Sequence, residues 1–332
     1  MKADSVSDRL LNEVEKAIAI NPDSASNLLK SISSPEKLDD KAFARWCMLS
    51  GKITDEIFNS ILPTYQLERA YDWYSSHGSP DEQVQILIYL GRSYFADGDY
   101  DKAMSIYTNA LDIAGKNKLN NLIGYTYDYI GDLYREKFMF TEAIKKYETA
   151  AECFKKENNT DSYACALKNI GREYACIDSL SCAIEILTIA DSVAANTKDI
   201  EVTASINNAL GNIYVMREEY DKAEKYFLKA LSTGKEKMPD YVALIDLYTT
   251  TDSIDKAKEL LSKIPQDDPQ YTCSINYLYY QIHNAERDYK EALAYLEEYV
   301  DMVDSIVYAD SQSKILNIES KYNHLKISQE VD

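Results

Sequence analysis

A glycine returns every 40 residues through the middle of this 332-residue chain: Gly91 in YLGRSY, Gly131 in YIGDLY, Gly171 in NIGREY and Gly211 in ALGNIY. Self-similarity at a fixed period of this size demands stacked copies of one unit, because a single unit cannot bury its own apolar face. Other slots keep the same phase. Tyr94, Tyr134, Tyr174 and Tyr214 stand three residues after each glycine, and Ala103, Ala143, Ala183 and Ala223 stand twelve after it. Tyr107, Tyr147, Leu187 and Phe227 follow, then Ala110, Ala150, Ala190 and Ala230. Small residues at these offsets mark where two helices approach closely, and the aromatic slots fill the space beside those contacts. Turn signals agree, with Gly98 and Asp99 of ADGDY lying between two helical runs. Each unit is therefore expected to be a helical hairpin. No alternating β pattern competes, so the predicted fold class is all-α.

The pattern L-G-x-x-Y followed by A-x-x-x-[YFL]-x-x-A resembles the tetratricopeptide repeat. The resemblance implies a right-handed α-α superhelix, here of about eight helix pairs. Against that family's usual unit of about 34 residues, the four central copies are longer and have no terminal proline, so their helices are expected to be longer. Residues 81–235 hold these four units. Residues 236–300 hold two shorter, degenerate ones, with Ile245 and Tyr280 in the glycine slot and Pro269 in the family's terminal proline slot. Residues 1–80 read as a worn N-terminal cap, in which 21–32 and 67–78 look like second helices. Residues 301–332 read as one long C-terminal helix with an apolar stripe of Tyr308, Ile315, Ile318, Tyr322 and Leu325, either capping the last repeat or starting a coiled coil.

Composition excludes several functions. With 55 acids against 36 bases the net charge is −19, which argues against nucleic acid, whose phosphates need a basic face. The six cysteines show no zinc spacing and read mostly as small buried residues; Cys176 and Cys182, which bracket a predicted turn, are the one pair that could approach each other. His77, His283 and His324 lie far apart, and His283, in a repeat's tyrosine slot, reads as a core imidazole. No phosphate loop or nucleophile elbow occurs. The chain is thus expected to be no enzyme and to carry no metal or cofactor. No run of apolar residues is long enough to span a membrane, and the start MKADSVSDRLL lacks the apolar core of a signal peptide.

Binding is the expected role. In tetratricopeptide proteins, the resemblance implies, the first helix of each unit lines a concave groove that holds an extended peptide or a partner helix. Positions three before, one after and four after the glycine share a face turned off the packing face. Those residues are Ile88, Arg92 and Phe95; Asp128, Asp132 and Arg135; Lys168, Arg172 and Ala175; Asn208, Asn212 and Val215. Tyr89, Tyr125 and Tyr129 are further candidates for the inner face. The family's asparagine ladder, two positions before the glycine, is matched only by Asn169, and its two-carboxylate clamp is not reproduced at Ser205 and Ala209. Arg92, Lys168, Asn169 and Arg172 form a basic strip in an acidic chain, which suits an acidic or carboxylate-bearing segment of a protein partner. The chain as a whole resembles the repeat region of bacterial tetratricopeptide lipoproteins and membrane-tethered regulators. That implies an envelope setting; a cytoplasmic peptide receptor or adaptor that switches a partner is the alternative.

Overall fold

The computed structural model describes residues 2–57, 61–197, 199–235 and 237–331. Among these there are sixteen α-helices and no strand. They fall into two compact units, residues 2–139 with 327–331, and residues 140–326, which hold most of the last helix. The first holds α1 (Lys2–Ile18), α2 (Pro22–Lys30), α3 (Asp40–Ile57), α4 (Thr64–His77), α5 (Pro80–Ala96), α6 (Tyr100–Asn117) and α7 (Asn120–Glu136). The second begins with α8 (Phe140–Lys156), α9 (Thr160–Cys176), α10 (Leu180–Ala194), α11 (Ile200–Met216) and α12 (Tyr220–Thr233). It continues with α13 (Met238–Thr250), α14 (Ile254–Leu261), α15 (Thr272–Ala285) and α16 (Tyr289–Val331). Within each unit successive helices pack antiparallel as hairpins, among them α3 with α4, α5 with α6, α9 with α10 and α11 with α12. The fold is an all-α solenoid of helical hairpins.

The repeat slots do what their residue types suggest. Ala103, Ala110, Ala183, Ala190, Ala223 and Ala230 have no exposed surface. A Cβ on Gly91 would enter the ring of Tyr107, one on Gly171 would sit 2.6 Å from Leu187 Cγ, and one on Gly211 would enter the ring of Phe227. The glycine is thus the contact point for the large residue sixteen positions later. Gly51, 40 residues before Gly91, also belongs to the series: Leu67 and Ala70 hold its later slots, both buried, and Tyr89 packs against its Cα face. Pro63 in the alanine slot and Thr54 in the tyrosine slot hide this copy from pattern matching.

The tyrosine three after the glycine carries a polar role at its rim. Lys102 lies 5.2 Å from the Tyr94 ring centre, Lys222 5.2 Å from that of Tyr214, and Lys256 5.1 Å from that of Tyr248. Each lysine stands eleven residues after its glycine slot, so one hairpin supplies both ring and cation. The phenol of Tyr248 donates to Glu224 Oε1 at 2.8 Å, and that of Tyr94 donates to Glu68 Oε1. These bonds tie each tyrosine to the second helix of the preceding hairpin.

Helix ends recur on a half-period. Gly98, Lys118, Phe138, Asn158, Asp178 and Glu218 all have φ between 57° and 80° and stand 20 or 40 residues apart. The turns after α5, α6, α7, α8, α9 and α11 thus each pass through one left-handed residue at a helix C-terminus. N-terminal side-chain caps follow, with Asp99, Asn159 and Asp199 accepting backbone N–H bonds and Ser79 forming a reciprocal box with Glu82. A β-carbon disfavours the left-handed conformation by about 1 to 2 kcal/mol, against about 1 kcal/mol of extra chain entropy lost with glycine. Glu218→Gly is accordingly expected to raise stability by up to about 1 kcal/mol, read from the urea midpoint. A lower midpoint would show that the Glu218 side chain supports the turn.

Two expectations need correction. Of the six cysteines only Cys47 is buried; Cys153, Cys165 and Cys273 are half-buried, Cys176 and Cys182 are exposed, and none is in a disulfide. The last two flank the turn that joins α9 to α10. The C-terminal helix starts at Tyr289 and runs without a break across residue 300, because no helix-breaking residue follows Asp288. The side chains of Ile315, Ile318, Tyr322 and Leu325 lie outside the described residues.

Candidate functional site

The first helices of the hairpins carry the expected groove positions, and the two units treat them differently. In the first unit most of these residues are occupied by the fold. Ile88 is 2% exposed and packs with Val84, Leu87, Ala110, Ala114 and Leu122, so it is a core residue. Tyr89 is 3% exposed, and its phenol donates to Asp55 at 3.0 Å. Arg92 forms an ion pair with Asp55 of α3, and its guanidinium lies 5.3 Å from the Tyr129 ring centre and 6.0 Å from that of Tyr89. Tyr129 in turn stacks on Tyr107 at 6.0 Å. Phe95 is half-buried and meets Tyr100 edge to face, and Asp132 pairs with Arg135 on its own helix at 3.2 Å. The hollow beside Gly51, Tyr89 and Arg92 measures only ≈ 10 Å³, about the space of one water. Arg92 is therefore an internal clamp. Paired to one carboxylate and set beside two aromatic rings, its side chain is only 18% exposed.

In the second unit some of the same positions remain open. Lys168 is half-buried and Arg172 exposed on α9, and no ion pair engages either one among the described residues. Asn169 is half-buried beside them, whereas Ala175 and Val215 turn inward to packing contacts. On α11, Asn208 donates to Asp240 Oδ1 at 2.6 Å, and Asn212 donates to Asn208 Oδ1 at 2.9 Å. This amide relay borders a cleft of ≈ 650 Å³, walled also by Val242 and Asp246 of α13 and by Tyr271 and Ser274 at the start of α15. The cleft is within the size range of ligand pockets, and polar side chains alternate in its lining with the apolar Met238, Pro239, Val242 and Ala243.

Asp246 escaped the groove positions read from the sequence, although the signal was present: it stands one residue after Ile245, just as Arg172 and Asn212 stand one after their glycines. Its carboxylate has no hydrogen-bond partner and its Oδ1 is buried. Burial pushes this carboxyl up to about 6, since desolvation disfavours the charged form. On α15, Tyr277 and Gln281 take the corresponding places, and the Gln281 amide donates to the Tyr277 phenol.

His283 is a packing residue, its ring lying beside Tyr279 at 6.3 Å and Tyr295 at 5.5 Å, two rings that stack on each other at 4.7 Å. Among the described residues no group of three or more His, Cys, Asp or Glu side chains is placed to hold a metal ion. No helix among them is long and apolar enough to cross a membrane.

Tetratricopeptide repeat family models match residues 87–120 and 203–238. No curated protein matches the chain. Among solved structures, a Rap protein complexed with Competence and Sporulation Factor superposes with a TM-score of 0.59 at 14% identity, over 98% of this chain and 94% of that one. NprR in complex with its cognate peptide NprX gives 0.53 at 16% identity, covering 98% of both chains. The apo form of the quorum sensor NprR from B. thuringiensis gives 0.55 at 13% identity, over 97% of this chain and 99% of that one. At such identities the likeness is one of fold. With the 40-residue glycine phase, the close-packed hairpins and the two family matches all in agreement, the chain is a tetratricopeptide repeat protein.

Proposed function

We propose that this protein is a non-enzymatic receptor or adaptor that binds an extended segment of a peptide or protein along α9, α11 and α13. The observation that carries the reading is the ≈ 650 Å³ cleft of the second unit, bordered by polar side chains that no core packing requires. Lys168 and Arg172 offer cations without intramolecular carboxylates, and Asn208 and Asn212 offer amide groups suited to a peptide backbone. Fold-level likeness to NprR in complex with its cognate peptide NprX and to a Rap protein complexed with Competence and Sporulation Factor supports the peptide class of ligand. The same likeness, which spans nearly the whole chain, favours a peptide-responsive switch over a lipoprotein of the envelope; the lipoprotein setting keeps only the sequence resemblance as support. Arg92 leaves the basic strip, and the acidic residue of the ligand is assigned to Lys168 and Arg172 alone.

Panning a displayed library of random twelve-residue peptides on the immobilised protein tests this reading. The wild type is expected to enrich sequences containing Asp or Glu. The double variant Arg172→Glu/Asn212→Ala, altered at two exposed positions, should bind the enriched peptides about tenfold to a hundredfold more weakly. No enrichment, or equal binding by the variant, would place the function elsewhere.

A further inference from the structure

Asp246 has no role in holding the fold together. It projects from the groove position of α13, lines the cleft, and finds neither a cation nor a hydrogen-bond donor. The surrounding elements supply no cation, and none of their donors bonds to it. α11 brings the amides Asn208 and Asn212, of which Asn208 is turned to Asp240. α15 brings Tyr277, whose phenol is pushed up first by its own burial and second by the Asp246 charge. The cleft contains no lysine or arginine among its lining residues. A half-buried carboxylate left in this state weakens the free protein, because its lost hydration is not replaced. A neutral amide of the same shape would avoid that penalty.

We infer that Asp246 is the anchor for a lysine or arginine side chain of the bound segment, a specificity element that rests on the groove reading above. The wall beside it fits such a side chain. Val242 and Tyr271 present apolar surface against which an aliphatic stem can lie while its charged head reaches the carboxylate. The two charged positions also define a polarity. Neighbouring helices lie about 8–10 Å apart, so two steps from α9 to α13 span roughly 16–20 Å. An extended chain advances about 3.3 Å per residue. The ligand therefore carries an acidic residue opposite Lys168 and Arg172 and a basic residue about five or six positions away, opposite Asp246. The exposed amide of Asn212 lies along the backbone between them. This dipolar pattern selects one orientation of the segment, since reversal sets like charges against each other at both ends.

The same displayed library tests the inference with Asp246→Asn and Asp246→Lys. Wild-type protein is expected to enrich peptides with Lys or Arg about five or six residues from Asp or Glu. Asp246→Asn should keep the acidic preference, lose the basic one, and bind the wild-type-selected peptides about tenfold to a hundredfold more weakly. Asp246→Lys should exchange the basic preference for an acidic one. Enrichment with no basic preference, or with the same preference in Asp246→Asn, overturns the inference and leaves the groove reading standing. No enrichment at all overturns both. A thermal melt of the peptide-free proteins guards against misfolding and has its own expected sign. The carboxyl is raised to about 6 in the fold against roughly 3.9 unfolded, so its destabilising effect is full above pH 6 and gone below pH 4. Asp246→Asn should therefore melt higher than wild type at pH 7 and level with it at pH 4. A lower melt at pH 7 would show that the carboxylate supports the fold and would remove the inference.

Discussion

Replacing Phe227 with alanine is expected to lower stability by about 3 to 5 kcal/mol, the largest effect of any substitution considered for this chain. Phe227 is 1% exposed on α12 and packs with Ala223, Leu244, Tyr248 and Leu260. Its ring also covers the face of α11 that Gly211 leaves open. Truncation opens a cavity against three helices that cannot all collapse, because α11, α12 and α13 hold one another through other contacts. Leucine fills the equivalent slot at Leu187, so Phe227→Leu is expected to cost less than about 1.5 kcal/mol. Urea unfolding followed by helical circular dichroism measures both. A loss below 1 kcal/mol for the alanine variant would mean that the slot is not a packing centre.

Gly171→Leu is expected to cost about 3 kcal/mol, while Gly171→Ala should be close to neutral. Two opposing effects set these values. Alanine or leucine gains about 1 kcal/mol of helix propensity over glycine in mid-helix. Against this, the first added carbon already lies 2.6 Å from Leu187 Cγ and 3.4 Å from the Ala183 carbonyl oxygen. One methyl can be accommodated by a shift of the Leu187 side chain, and the two effects nearly cancel. A full leucine must also displace α10, and overpacking of that kind costs about 1–3 kcal/mol or more. Combining Gly171→Leu with Leu187→Ala should recover part of the loss, since the two residues share one space and their effects are not additive. An unchanged urea midpoint in the single leucine variant would refute close approach of α9 and α10.

The groove was legible in part. Every position one or three residues from a glycine slot follows from helical geometry, and Lys168, Arg172, Asn208 and Asn212 do reach an open face of the second unit. The same rule extended to Ile245 leads to Asp246. The rule failed at Ile88 and Arg92. Ile88 is equivalent by position to Lys168, yet apolar neighbours on α6 and α7 enclose it. Arg92 is equivalent to Arg172, but Asp55 of α3, 37 residues earlier, claims its guanidinium. Position along a helix fixes direction, whereas availability depends on what a neighbouring helix places opposite.

The repeat unit, its helical hairpins and their number were determined by the sequence alone. Close approach of two helices admits only small residues at the contact and a large one beside it, and that demand leaves a mark every 40 residues. Gly51 falls in the same phase, but Thr54 and Pro63 broke the written pattern while Leu67 and Ala70 kept the packing. Only the tertiary structure decided which of the expected groove residues are consumed by the fold and which stay exposed. Charge pairing joins residues far apart in the chain, and no periodicity records whether a carboxylate such as Asp55 or Asp246 meets a cation or meets none.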